Sequence, residues 1–419
     1  MKTIVVLDAH TLSPLQLGEH SAAHPSWDKL SSLGSLTLHP RTKPDEVVAR
    51  AADAEILLTN KAKVTAEHIA ALPKLQYIGV MATGYNIVDL AAARERGIPV
   101  TNVPGYSTMS VAQCVFALLL EISVRVGAHD AAVKNGDWVR CPDFYFSVGP
   151  IGELAGKTLG IIGLGTIGQA VARIGAAFGM RVVTYSRSRK EFDTPVEWLS
   201  LDEVFAQSDV LTLHCPLTPE TDHFINRENL KKFKRSAILI NTSRGPLVNE
   251  ADLAEALKNG TLAAYGADVL SEEPPKANNP LLAAPNTVIT PHIAWASVEA
   301  RCRLMDVLAD NLNAYLAGSP INVVSGAPAA VPTEPVAEEP IVEEASTVES
   351  AIEKGASPEP EEAPQVDADA VNSRFWHFRP SPRRRLGQMT RRRLKKLRQA
   401  VKETAPQRSR RSRSRKKLS

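Results

Sequence analysis

Three short segments of this 419-residue chain place ionisable side chains just past apolar runs. They read Asn241-Thr242-Ser243-Arg244-Gly245, Asp268-Val-Leu-Ser-Glu-Glu273-Pro-Pro and Thr290-Pro-His292-Ile-Ala-Trp295. A guanidinium is a planar fork that matches the two oxygens of a carboxylate. An imidazole within reach of a carboxylate is a proton-transfer pair. Taken singly, each residue has a plain explanation. Arg244 could pair with a surface carboxylate, Glu273 could be a solvated loop charge, and His292 a satisfied core histidine. Found in order beyond a nucleotide-type glycine turn, they are better read as one constellation.

That turn is Gly163-Leu-Gly165-Thr166-Ile167-Gly168, set between an apolar run, Thr158–Ile162, and a helical stretch reaching about Phe178. The first glycine permits the tight turn and the second lets the backbone approach a pyrophosphate. The third allows close helix–strand packing, and the helix N-terminus offers unpaired N–H groups. The strand–turn–helix context lifts the pattern above a chance match. About 20 residues on, an acidic side chain normally holds the ribose 2′-hydroxyl. Here the next strand, Arg181–Tyr185, runs into Ser186-Arg187-Ser188-Arg189. A serine beside arginines accepts a 2′-phosphate that an aspartate would repel, so the expectation leans to NADP(H), with NAD(H) left open.

The elements that must position these groups alternate. Strands are predicted at Thr3–Leu7, Ile56–Thr59, Tyr77–Val80 and Ile98–Thr101, with a helix over Asp89–Arg96 closed by Gly97 and a buried helix over Val111–Ile122. Beyond the glycine turn, strands are predicted at Val210–Leu213, Ala237–Ile240, Ala263–Asp268 and Thr287–Thr290, then a helix over Ser297–Leu316. Alternating β and α elements imply parallel sheets covered on both faces. In such sheets ligands bind beyond the carboxyl ends of the strands, where the three ionisable segments lie.

Together with Ala82-Thr-Gly-Tyr-Asn86, Gly105-Tyr-Ser-Thr108, Pro142-Asp-Phe-Tyr-Phe146, Leu159-Gly-Ile-Ile-Gly-Leu-Gly165 and His214-Cys-Pro-Leu-Thr218, this set resembles the D-isomer-specific 2-hydroxyacid dehydrogenase family, in particular its glycerate dehydrogenase (hydroxypyruvate reductase) branch. The resemblance spans about residues 1–322. It implies an α/β fold of two Rossmann-like domains: a flavodoxin-like substrate-binding domain from 1–103 and 293–325, and a doubly wound NAD(P)-binding domain from 104–292. An aromatic-rich arm near 136–152 would join two copies into a homodimer. It also implies roles. Arg244 would clamp the substrate carboxylate, with the backbone at Thr83 and Gly84. His292 would be the acid/base, and Glu273 would orient it and raise its pKa. Trp295 would cap the pocket. Thr166 and Ile167 would touch the pyrophosphate, and Cys215, Pro216 and Thr221 the adenosine side. Asp268, with Thr242 and Ser243 nearby, would hold the nicotinamide end. No metal is called for. The substrate would be a small 2-oxo or 2-hydroxy acid: glycerate, hydroxypyruvate or glyoxylate. The alternative is a nicotinamide-sensing, corepressor-like binding protein on the same fold. Ser186 and Cys114 depart from the family's usual acidic residue and histidine.

The net charge of +3 hides a division. Residues 1–325 carry 29 basic and 33 acidic side chains, 326–372 carry 1 and 12, and 373–419 carry 19 and 1. The acidic Pro/Ala/Glu-rich stretch and the basic tail are expected to be disordered. The tail has three readings: a non-specific polyanion binder, a basic amphipathic helix over 384–403 on an anionic membrane, or a solvated appendage. Four widely spaced cysteines and no apolar run long enough to span a bilayer suggest a reduced, cytoplasmic protein.

Overall fold

A computed structural model describes residues 1–12, 25–189 and 192–326. The acidic stretch and the basic tail beyond residue 326 therefore lie outside the described residues. Within them the chain builds two wholly parallel sheets. The first uses β1 (Lys2–Val6), β2 (Gly34–Leu38), β3 (Ile56–Thr59), β4 (Tyr77–Val80) and β5 (Val100–Thr101), in the order β2-β1-β3-β4-β5. This is the flavodoxin-like order. The second uses β6 (Thr158–Ile162), β7 (Arg181–Tyr185), β8 (Glu197–Trp198), β9 (Val210–Leu213), β10 (Ile238–Asn241), β11 (Ala264–Ala267) and β12 (Thr287–Ile289). Its order, β12-β11-β10-β9-β6-β7-β8, is doubly wound and reverses between β6 and β9.

Register decides what meets at the rim. Ile162 pairs with both Tyr185 and Leu213, Leu213 with Asn241, Asn241 with Ala267, and Ala267 with Ile289. Six strands thus end level, and the segments that follow them share one edge of the sheet. Covering both faces explains why β3, β4, β6 and β9 are buried along their whole length. The helix Thr108–Val124 packs Val115, Phe116 and Leu119 against Ile161 and Ile240 of the second sheet and Val171 of the helix Thr166–Ala177. The helix Val298–Leu316 returns to the first sheet, where Leu304, Leu308 and Leu312 join Ile4, Ile56 and Tyr77.

Most predicted elements appear with shifts at their ends. Asp89 and Ser297 prove to be N-caps, accepting from the backbone of Ala92 (3.0 Å) and Ala300 (3.1 Å), so their helices start one residue later. The strand expected at Ile98–Thr101 shortens to Val100–Thr101. β2 and β8 were not expected. Both are sheet edges, and β2 buries only Gly34, so neither shows the apolar pattern that marks a strand. Among the described residues no single helix is long and apolar enough to cross a membrane.

The returning helix is tied down by polar contacts. Asn311 is fully buried; its amide donates to the Asn102 carbonyl (2.8 Å) and accepts from the Asn322 side chain (2.7 Å). Asn311→Leu keeps the branched shape, with somewhat larger methyls, but orphans the buried Asn102 carbonyl. It should lower unfolding stability by about 1–3 kcal/mol. Chemical denaturation checks this, and an unchanged midpoint would mean the bond contributes nothing.

Candidate active site

The glycine turn has the geometry its sequence suggests. Gly163 adopts φ +95°, and a Cβ there would come within 2.8 Å of the His214 carbonyl carbon and the Cys215 nitrogen. A Cβ on Gly168 would lie 2.2 Å from the Gly163 oxygen. Gly165 differs: nothing stands within 4 Å of where its Cβ would be. It precedes the helix Thr166–Ala177 without a side-chain cap, so the first-turn N–H groups of Thr166 and Ile167 face open space. That cradle suits a pyrophosphate.

The groups flanking the cradle fit the same ligand. The Gly163 N–H donates to the Tyr185 carbonyl (2.8 Å), which sets Ser186 and the exposed Arg187 beside the turn. Across it, the Thr221 hydroxyl donates to the Pro216 carbonyl (2.8 Å) and Ser243 Oγ donates to the Cys215 carbonyl (2.8 Å), so both hydroxyls shape the wall. The Thr242 hydroxyl is buried with no partner among the described residues. An orphan hydroxyl on this rim and an open cradle at Gly165 both fit a nicotinamide dinucleotide.

The three ionisable segments converge. His292 Nδ1 and Glu273 Oε2 are 2.6 Å apart, both partly exposed. The other ring nitrogen, Nε2, has no partner among the described residues. Glu273 Oε1 accepts from the Leu270 N–H (3.1 Å). Half-burial pushes the Glu273 carboxyl up. The hydrogen bond and charge of His292, the Leu270 N–H and the Lys61 ammonium outweigh that and hold it below the usual glutamate value. Its ionised form therefore contributes stability above the ordinary glutamate pKa, and the contribution is lost as pH falls through the lower folded value.

Arg244 reaches the loop after β4. Its Nη2 lies 2.7 Å from where a Cβ on Gly84 would stand, so only a glycine lets the guanidinium lie this close. Its Nη1 donates to the Ser243 carbonyl (2.7 Å). The Thr83 hydroxyl is engaged with the Val103 carbonyl (2.9 Å), while the N–H groups of Thr83 and Gly84 have no partner among the described residues. Gly245 lets the arginine-bearing turn press on the glutamate-bearing one, since a Cβ there would come within 2.0 Å of the Leu270 carbonyl carbon.

Asp268 is tied into the turn that carries His292. It is almost wholly buried, and its carboxylate accepts from Thr290 Oγ1 (2.6 Å) and from the N–H groups of Ile293 and Ala294 (2.8 Å each). It braces the turn that carries His292. Trp295 packs on the core of the first sheet with the Arg301 guanidinium 5.3 Å from its ring centroid. Sequence reasoning missed Lys61 and Asp8. Neither sits in a recognisable motif, and only the adjacency of β1, β3 and β4 brings them to the site.

Other candidate groups are chemically quiet. Burial pushes the His214 imidazole down to about 3, leaving it neutral, and its Nε2 pairs with the Thr212 hydroxyl (2.9 Å). Burial raises the Cys114 and Cys215 thiols to about 11 each, so neither is a ready nucleophile.

Residues 116–294 match the family model described as D-isomer specific 2-hydroxyacid dehydrogenase, NAD binding domain. A hydroxypyruvate reductase of Blautia hydrogenotrophica is 46% identical over 327 residues, covering 77% of this chain and 99% of that protein. The chain belongs to the D-isomer specific 2-hydroxyacid dehydrogenases. A glycerate dehydrogenase of Methylorubrum extorquens is 44% identical over 67% of this chain and 88% of that protein. The solved NADPH-dependent glyoxylate/hydroxypyruvate reductase of Sinorhizobium meliloti is 30% identical, with a TM-score of 0.67 over 78% of this chain and 99% of that one. The protein is thus an oxidoreductase acting on the CH–OH group of 2-hydroxy acids with a nicotinamide cofactor.

Two substitutions probe the pair. His292→Ala should cut kcat by about 100-fold or more, the usual worth of a positioned acid/base. Glu273→Gln should cut it about 10- to 100-fold with KM little changed, since the carboxylate touches the imidazole and not the substrate. Steady-state kinetics decides, and near-normal turnover in His292→Ala would remove the pair from the mechanism.

Proposed function

We propose that this enzyme interconverts hydroxypyruvate and D-glycerate, and reduces glyoxylate, with NADP(H) as its preferred cofactor. The observation that carries the reading is the His292–Glu273 contact of 2.6 Å on the rim that also carries Arg244. In this reading residues 1–103 and 293–325 hold the substrate and residues 104–292 the cofactor. Arg244 and the free N–H groups of Thr83 and Gly84 bind the substrate carboxylate and orient its 2-oxo group. The nicotinamide supplies a hydride to the 2-carbon, or takes one from it. His292 Nε2 gives the carbonyl oxygen a proton during reduction and recovers it during oxidation. Glu273 keeps the ring turned so that Nε2 meets the substrate. Trp295 and the wall of the first lobe restrict the pocket to small acids, and Asp268 fixes the histidine-bearing turn.

The NADP(H) preference is supported by Ser186 and Arg187 where an acidic residue would repel a 2′-phosphate. The name of the Sinorhizobium meliloti neighbour, NADPH-dependent, agrees with it. Association into a homodimer is supported by apolar side chains left in water between 136 and 152, with Val139 89% and Phe144 87% exposed. Four free cysteines suit a reducing cytoplasm. The basic tail is dispensable for turnover in this reading, and its charge would give non-specific, salt-sensitive affinity for polyanions. The corepressor alternative gains nothing from a proton-transfer pair, which sensing does not need.

A panel of hydroxypyruvate, glyoxylate, pyruvate and oxaloacetate against NADPH and NADH tests the assignment. Hydroxypyruvate with NADPH should give the highest kcat/KM. Arg187→Ala should raise the KM for NADPH about tenfold and leave that for NADH nearly unchanged. A wild-type preference for NADH would reverse the cofactor reading. Removal of residues 326–419 should leave kcat intact, and collapse of activity would place the tail within the catalytic fold.

A further inference from the structure

One cation near the catalytic pair has no part in the mechanism above. Lys61 follows β3, whose Thr59 pairs with Val80 of β4. It therefore stands one strand-spacing from the loop that presents Thr83 and Gly84 to Arg244. Two contacts fix the segment. The Asn60 side chain donates to the Met81 carbonyl (2.7 Å) across the two strand ends. The buried Asp8 carboxylate accepts from the backbone N–H groups of Asn60 (2.7 Å), Lys61 and Ala62 (2.8 Å). A carboxylate holding three successive N–H groups leaves the Lys61 backbone little freedom, so the point from which its side chain departs is fixed.

The surroundings of that side chain are those of a crevice wall. Lys61 is exposed to solvent, yet enough protein surrounds the ammonium that desolvation lowers its pKa. Its charged neighbours are Glu273 and Asp8, which oppose that shift, and Arg244, which adds to it. Glu273 is already engaged by His292. Arg244 provides the fork for a carboxylate, so a monoanionic substrate is matched by Arg244 alone. A second cation on the opposite lobe is surplus unless the substrate carries another electron-rich group. In a 2-oxo acid laid between Arg244 and His292, the atoms left over are those on the third carbon.

We propose that Lys61 determines specificity by donating a hydrogen bond from its ammonium to an oxygen on the third carbon of the substrate. The assignment rests on the functional reading above. It makes the site selective for 3-oxygenated 2-oxo acids, hydroxypyruvate foremost, over acids that lack that oxygen. Glyoxylate has no third carbon and gains nothing from Lys61. A site built to hydrogen-bond a substrate group discriminates against analogues without it, because the donor is then left unmatched.

Lys61→Met removes the charge and keeps the stem, and Lys61→Arg restores a donor. With the full chain and NADPH, Lys61→Met should lower kcat/KM for hydroxypyruvate about 10- to 100-fold, mainly through KM. The value for glyoxylate should move by less than about threefold. Lys61→Arg should recover most of the loss. Unchanged NADPH binding, read by fluorescence, guards against misfolding, and Lys61→Gln replaces the methionine variant if that protein does not accumulate. An equal fall for both substrates, or a fall in kcat alone, would mean Lys61 acts on Glu273 or the carboxylate end and would overturn the assignment. A wild-type enzyme inert toward both substrates would instead sink the functional reading, and this assignment with it.

Discussion

His292, the proposed acid/base, sits in a backbone conformation that its residue type disfavours. His292 has φ +54°, in the left-handed region, which costs a residue bearing a Cβ about 1–3 kcal/mol. Asp268 is what holds it there. Its carbonyl accepts the His292 N–H (2.9 Å), while its carboxylate takes the next two N–H groups and the Thr290 hydroxyl. Three successive N–H groups thus end on one residue at the end of β11. The same strand end leads into Glu273, which meets the imidazole from the other side. Brace and partner therefore share one anchor, and a small shift there would misplace the proton donor by enough to matter.

Close approach of backbone is the second condition. The Arg244 guanidinium lies over the β4 loop where a Cβ on residue 84 would make it shift, and the turns bearing Arg244 and Glu273 can touch only because residue 245 has no side chain. These contacts bring a cation, a carboxylate and an imidazole to the end of one sheet and face them with the end of another. Burial elsewhere does the opposite work. It silences His214, Cys114 and Cys215.

Much of this was legible in the sequence, for definite reasons. The glycine turn is a local motif whose three roles reappear as one positive φ, one open approach and one tight packing contact. Arg244, Glu273 and His292 were legible because each follows an apolar strand, and parallel strands end at one rim. The edge strands β2 and β8 were not, because a strand with one buried residue or only two residues leaves no period to detect. Asp268 was recognised, but its bracing of the turn that carries His292 was not, because a sequence does not show which N–H groups 25 residues away a carboxylate will meet. Lys61 and Asp8 lay beyond reach because their relation to the site runs through strand order, β1 beside β3 beside β4, and not through spacing along the chain.

That strand order has a mechanistic consequence. In the proposed reading the substrate would be met from both sheets, by Gly84 and Lys61 from the first and by Arg244 and His292 from the second, with Glu273 behind the imidazole. A bound acid that touches both sets favours whichever arrangement of the two brings them together, and the proton donor belongs to the set that must be brought in. Contacts far from the reacting carbon then act on turnover as well as on affinity, because they help assemble the geometry in which His292 can reach the oxygen. Water left between the sets would weaken every charge interaction among them. A substrate long enough to span the two sheets both excludes that water and aligns the pair, which places recognition and catalysis in one contact surface.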